Sequence, residues 1–344
     1  MMPVLYFAPE NIEKFRALLQ TAKRAVVVTH HNPDGDAIGT SLALTQVLKA
    51  LGIDTSVIVP NPFPEFLHWM NGVKDILIYK HGHTRPKQLL SEADLLFCVD
   101  LNALSRMDAL GKFISALPVP RVMIDHHLQP ELKDFTIAFS DPGACSSAET
   151  FYHLMKDLGL LPRLNITAAE AIYTGMMTDT NGFRNNCSRP EVFYIIAELL
   201  QYGIDKDKIY NAVYNSYSYN RMRLLGYALE KMVVLPEYRT AYIALTKEEI
   251  ASFHFQPGDT EGFVNYPLHI KDIVLSVFLS ENQENIRLSF RSRGQFSVNE
   301  FARKHFEGGG HLNAAGGISR LTVTETIAKF IQSIEPYKDE LSAV

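Results

Sequence analysis

Cysteine is scarce in this chain of 344 residues: Cys98, Cys145 and Cys187 are the three it has, far apart and with no CxxC pair. So sparse and odd a set supplies neither a thiolate metal site nor a disulfide framework. Long hydrophobic runs are missing too. Apolar segments such as Ala25–Val28 and Leu95–Val99 are four or five residues long, against the ~20 that cross a bilayer; no membrane partner is expected. Met1–Ala22 intersperses Glu10, Glu13, Lys14 and Arg16 among apolar positions, the pattern of an amphipathic helix and not of a secretory leader. The expected location is cytoplasmic. Basic excess is also absent, since 33 Lys and Arg face 38 Asp and Glu for a net charge of −5. A protein that grips long nucleic acid by its phosphates carries such an excess, so any nucleic-acid substrate is expected to be short.

What is present is an average globular composition, 47% hydrophobic and 21% charged, over a length that suits about two domains. Apolar runs at Ala25–Thr29, Thr55–Val59, Ile76–Tyr79, Leu95–Val99 and Arg121–Ile124 alternate with helical patterns such as Ala37–Leu51. Near-continuous apolar strands separated by helices predict an α/β fold, a mostly parallel sheet with helices on both faces. Ser146–Glu149, Thr167–Glu170, Thr246–Glu249 and Ser297–Glu300 have the hydroxyl-to-Glu spacing of capping boxes at helix starts. Asp205–Met232 reads as a helical linker, and strands at Tyr242–Leu245, Ile273–Leu279 and Ile286–Arg291 follow it. The expected organisation is a first domain over 1–200, a linker over 201–235 and a smaller α/β domain over 236–344.

The acids and histidines fall at strand ends. Ala25–Thr29 runs into His30, Asp34 and Asp36, Leu95–Val99 into Asp100, and Arg121–Ile124 into Asp125-His126-His127; Asp179 closes the apolar stretch Ala171–Thr178. In an open parallel sheet, ligands bind beyond the carboxyl ends of the strands. One acid after a strand is ordinarily a turn former or a cap. Three such endings in one domain, two of them with His, point instead to a metal site. Oxygen plus imidazole without thiolate suits Mn²⁺, Mg²⁺ or Fe²⁺. His30, Asp34, Asp36, Asp100, His126 and Asp179 are too many ligands for one ion and are expected to hold two. Two ions about 3.5–4 Å apart can activate a hydroxide for attack on phosphorus and stabilise the attacking and leaving oxygens of an in-line displacement.

A second constellation is Gly308-Gly309-Gly310-His311. Its consecutive glycines allow an anion-binding nest, and His311 is read as opening a helix whose N–H groups favour phosphate. A plain flexible connector is the competing reading. Arg291 and Arg293 lie just upstream, and Arg184, five residues after Asp179, is a further candidate for phosphate recognition.

Taken together, Asp125-His126-His127, His30-x-x-x-Asp34-x-Asp36, Asp100 and Asp179-Thr180 resemble the DHH phosphoesterase superfamily. Gly308–His311 resembles the signature of its associated C-terminal domain, so the likeness covers nearly the whole chain. Within the superfamily the compact length is most similar to the NrnA-like group of bifunctional oligoribonucleases and pAp phosphatases. The resemblance implies one manganese on His30 and Asp34, a second on Asp36 and His126, and Asp100 and Asp179 shared between them. It implies His127 beside the scissile phosphate, Asp125 orienting the histidines, and Arg291, Gly309, Gly310 and His311 on the substrate. The substrates implied are short RNA oligonucleotides, linear dinucleotides and pAp. An exopolyphosphatase- or pyrophosphatase-like phosphoanhydride hydrolase is the alternative within the same chemistry. A nucleotide- or RNA-binding module without activity is the alternative outside it, and a homodimer is compatible with the sequence.

Overall fold

The computed structural model describes residues 5–79 and 84–343. The chain divides into two compact units, Met1–Ser216 and Tyr217–Val344. The first contains α1 (Pro9–Thr21), β1 (Arg24–Thr29), α2 (Gly35–Ala50), β2 (Asp54–Val59), β3 (Leu77–Ile78), α3 (Thr84–Glu92) and β4 (Leu95–Val99). It continues through α4 (Ala109–Ser115), β5 (Arg121–Asp125), β6 (Ile137–Ser140), α5 (Ser147–Leu158), α6 (Ile166–Asp179), α7 (Pro190–Leu200) and α8 (Lys206–Tyr214).

Its six strands pair in the order β3-β2-β1-β4-β5-β6, every pair parallel. The alternation of side chains along each strand explains the continuous apolar runs. In β1, Ala25 and Val27 enter one core with Ile38, Phe151 and Ile172 of α2, α5 and α6. Val26 and Val28 enter another with Leu90, Leu110 and Ile114 of α3 and α4. Leu95, Phe97 and Val99 of β4 likewise face the first core, Leu96 and Cys98 the second. A strand buried on both faces has no polar side to show. The strand order reverses between β1 and β4, and such a reversal opens a crevice at the carboxyl edge.

The second unit contains α9 (Tyr219–Glu230), β7 (Val233–Leu235), β8 (Thr240–Leu245), α10 (Lys247–Ala251), β9 (Leu275–Glu281) and β10 (Ile286–Ser292). α11 (Val298–His305), β11 (Gly309–Gly310), β12 (Ala314–Ser319), α12 (Val323–Ile334) and α13 (Lys338–Ser342) complete it. Its strands pair as β11-β12-β10-β9-β8-β7. Among the described strands of this unit only β8 and β9 run parallel; the other pairs are antiparallel. Tyr242 and Ala244 pack toward Phe301 and Phe330, while Ile243 and Leu245 pack toward Leu224 and Phe263.

Three local expectations change. Asp205–Met232 is two helices, because Asn215 and Ser216 turn their side chains back onto Asn211 and Ala212 and Ser218 caps α9 by accepting from Arg221 N at 3.0 Å. Asn165, not Thr167, caps α6, accepting from Ala168 N at 2.8 Å. His311 opens no helix: a turn follows β11, and the chain runs on as β12.

Candidate metal centre

The first strand ends at Thr29, and His30 follows at its carboxyl edge. Asp34 caps α2, its Oδ1 accepting from Asp36 N at 3.0 Å and Ala37 N at 3.1 Å. That cap sets Asp36 in the first turn. Asp100 follows β4 with a φ of +59°, a left-handed conformation that Asp tolerates better than most residues. Its N–H donates to Ile124 O at 2.9 Å. Asp125 is the last residue of β5, with His126 and His127 next, and Asp179 is the last of α6.

These side chains converge. Ligand atoms of His30, Asp34 and Asp100 lie within 4.8 Å of one another, and so do those of Asp36, Asp100 and His126. Asp100 belongs to both groups. Asp179 Oδ2 is 3.4 Å from His126 Nε2. The imidazoles share one orientation: Nδ1 of His30 meets His31 O at 2.9 Å, Nδ1 of His126 meets Ala144 O at 3.3 Å, and Nδ1 of His127 meets Asp125 Oδ1 at 2.8 Å. A proton held on Nδ1 by such an acceptor leaves Nε2 as the ligating nitrogen. Asp125, which is fully buried, grips His127 twice, since its Oδ2 also accepts from His127 N at 3.0 Å.

The charges are crowded. Burial, then the nearby Asp100 carboxylate, push Asp36 well above the usual carboxylate range. Burial works against the Asp100 carboxylate as well, but the bond from His30 and the charges of His127, His30 and His126 outweigh it and hold Asp100 well below that range. Burial would lower His126, yet Asp179, Asp100 and Asp36 raise it to about 9. A set of carboxylates this close and this buried calls for a cation among them. Hard oxygens with imidazole nitrogens are the donors that Mn²⁺ or Mg²⁺ accepts, so the residues present fit divalent ions.

A supporting layer went unread in the sequence. Ser147 N and Ala148 N, at the start of α5, donate to Asp36 Oδ2 at 2.6 Å and Oδ1 at 3.0 Å. Ser147 Oγ donates to Asp100 Oδ1 at 2.9 Å. The helix start is fixed in turn, with Ser146 accepting from Glu149 N at 3.1 Å and Glu149 Oε2 accepting from Cys145 N at 2.6 Å. The only sequence signal was the Ser146–Glu149 spacing, which marks a helix start and says nothing of the carboxylates that the helix start holds.

The remaining candidates lie on other elements and loops. Arg184 is exposed in the loop after α6. In the second unit, Arg291 lies on β10 opposite Ala314 and Ser276. Gly309 and Gly310 form β11 against Gly316 and Ala315, and His311 sits half-buried in the turn that follows. Steric need explains two of the glycines. A Cβ on Gly308 would lie 2.0 Å from Gly316 O, and one on Gly310, whose φ is +155°, would lie 2.4 Å from Ala314 O. The expected nest is not formed, because Gly308 N, Gly310 N and His311 N donate to Ala302 O, Asn299 Oδ1 and Ala314 O at 3.3, 2.9 and 2.7 Å.

Comparison with known proteins finds relatives over most of the chain. The DHH family N-terminal domain matches residues 24–176 and the DHHA1 domain residues 240–337. A relative from Thermus thermophilus, named bifunctional oligoribonuclease and PAP phosphatase NrnA, is 30% identical over 90% of this chain and 89% of its own. A crystal structure of an exopolyphosphatase-related protein from Bacteroides fragilis is 45% identical with a TM-score of 0.92, covering 99% of this chain and 100% of that one. RecJ from Thermus thermophilus, solved with Mn²⁺, shares the fold at 15% identity and a TM-score of 0.57, over 98% of this chain and 56% of its own.

Proposed function

This chain belongs to the DHH family of phosphoesterases, and from that premise we propose that it is a manganese-dependent hydrolase of short oligoribonucleotides that also dephosphorylates pAp. The observation that carries the reading is the buried carboxylate and imidazole cluster at the carboxyl ends of β1, β4 and β5, with Asp100 common to the group of His30 and Asp34 and the group of Asp36 and His126. Its likeness to the Thermus oligoribonuclease and pAp phosphatase supplies the substrate class.

His30, Asp34 and Asp100 would hold one ion, Asp36, Asp100 and His126 the other, with Asp179 beside His126. When bound, two such ions supply Lewis-acid stabilisation of the phosphoryl oxygens and activate water for attack on phosphorus. The rest falls to the protein. Ser147 and the α5 N–H groups hold Asp36 and Asp100 in place, and Asp125 aims His127 at the leaving oxygen. Arg291, Gly309, Gly310 and His311 are assigned to the substrate from the second unit, and Arg184 from the first. No described helix is long and apolar enough to cross a membrane, and the net charge of −5 suits a short substrate better than a long one.

The test is a manganese-supplemented hydrolysis panel of a five-nucleotide RNA, pGpG, pAp, pyrophosphate and polyphosphate, with Asp36→Ala as the blank. Mononucleotides released from the RNA and the dinucleotide, and lost in the variant, are the expected result. Turnover confined to pyrophosphate or polyphosphate would overturn it in favour of phosphoanhydride hydrolysis, the reading that the name of the Bacteroides fragilis neighbour favours.

Two further outcomes follow. Manganese at about 100 times its Kd is expected to add ~2.7 kcal/mol of stability, a rise of roughly 5–11 °C in Tm for a unit of this size. Differential scanning calorimetry against an EDTA control checks this; an equal rise in Asp36→Ala would place the binding elsewhere. Asp125→Asn is expected to slow turnover by roughly 10–100-fold while keeping the manganese-induced rise in Tm, because it loosens His127 without removing an ion ligand. Unchanged kcat in that variant would show that the grip on His127 does not matter to the reaction.

A further inference from the structure

Between β4 and α4 the chain makes one 3-10 turn, Leu104–Met107. Three residues per turn bring Leu104 and Met107 to one side, where both are buried in the core over that face of the sheet. Arg106 is thereby turned away from that core. It is half-buried, and its backbone is pinned to the first motif: Arg106 O accepts from His31 N at 2.7 Å, and His31 Nδ1 lies 3.0 Å from Asp108 Oδ2. The turn after Asp100 and the loop after His30 are therefore one fixed edge of the cluster.

The guanidinium at this edge is unusual. Arg106 Nη1 is buried and has no hydrogen-bond partner among the described residues. An unmatched charged donor out of water is costly, so its retention calls for a reason. The guanidinium lies close enough to the cluster for its charge to act on His127 and His30.

The charge balance supplies the reason. The site carboxylates Asp34, Asp36, Asp100, Asp125 and Asp179 are five, one more than the positive charge of two divalent ions. An anionic phosphodiester arriving there meets a net negative centre unless another cation stands beside it. Arg is the cation suited to the task, because its fork can donate two bonds to one phosphoryl group.

We propose that Arg106 is a substrate-binding residue whose guanidinium donates to a non-bridging oxygen of the phosphoryl group being hydrolysed. This rests on the phosphoester reading above. The guanidinium completes the charge of the centre, and it supplies from the first unit a phosphate contact next to His127.

The test compares wild type, Arg106→Gln and Arg106→Lys, each saturated with manganese. Kinetics on pApA, calorimetric titration with AMP, and the manganese-induced rise in Tm are measured on all three. Arg106→Gln is expected to lose roughly 10²-fold in kcat/KM, the scale for one donor to a reacting anion. It is expected to weaken AMP about tenfold, the loss of a single charged bond, and to keep the full rise in Tm. Arg106→Lys, which keeps the charge but loses the fork, should fall between the two. Arg106→Gln with kcat/KM and AMP affinity within about threefold of wild type would overturn the proposal. A variant that unfolds or no longer gains stability from manganese would also overturn it, by assigning Arg106 to the scaffold of the ion site. Should wild type turn over no nucleotide at all, the functional reading fails instead, and the AMP titration still decides whether Arg106 binds phosphate.

Discussion

Asp100→Asn is expected to lower the manganese-supported hydrolysis of a short oligoribonucleotide by roughly 10³-fold, the several kcal/mol that an ion contributes to a phosphoryl transition state. Asp100 is the side chain shared by both ligand groups. Its Oδ2 lies 3.2 Å from His30 Nε2, and its Oδ1 lies 3.6 Å from His126 Nε2. Asn removes the charge that both ions would share. It keeps the shape and tolerates the left-handed backbone at φ +59°, as Asn does elsewhere. The variant should therefore fold, and its Tm in EDTA should stay close to that of wild type while the manganese-induced rise shrinks. Parallel kinetics and calorimetry check both parts. Retention of more than about a tenth of the activity would mean that Asp100 is not a shared ligand.

The residues of this cluster were legible because their elements advertise themselves. β1, β4 and β5 are buried on both faces, so each is an unbroken apolar run, and an acid or histidine straight after such a run stands out. β6 went unread because Ile137–Ser140 is an edge strand of alternating burial, too short to show a period. Ser147 and Arg106 were beyond reach for a different reason. Ser147 N meets a carboxylate 111 positions away and its hydroxyl one 47 positions away, and Arg106 matters only through what it lacks in three dimensions. Local spacing has no access to such pairings. The glycine run Gly308–Gly310 shows the opposite failing. Its composition suggests a phosphate nest, whereas strand pairing with β12 uses the same freedom for close backbone approach.

The second large effect concerns a glycine that no sequence pattern distinguishes. Gly39→Ala should destabilise the first unit and disable it together. Alanine is the better helix former by about 1 kcal/mol, and in α9 the corresponding change, Gly226→Ala, meets nothing within 4 Å and should stabilise. At position 39 the added carbon would lie 2.5 Å from Ala171 O and 3.0 Å from Gly175 N. These are backbone atoms of α6, so no rotamer relieves the contact and the two helices must part. Overpacking of this kind costs about 3 kcal/mol, leaving a net loss of roughly 2 kcal/mol and a fall of about 4–8 °C in Tm. The consequence for chemistry follows from what each helix carries. α2 bears Asp36 in its first turn and α6 bears Asp179 at its end, and a Cβ on Gly175 would itself stand 2.8 Å from Asp36 Oδ1. A displacement of about 1 Å between ligands is worth roughly 10²-fold in rate. Calorimetry and kinetics on Gly39→Ala, with Gly226→Ala as the control, separate propensity from packing. Equal stabilisation in the two variants would show that α2 and α6 yield without cost, and that their close approach does not set the separation of Asp36 and Asp179.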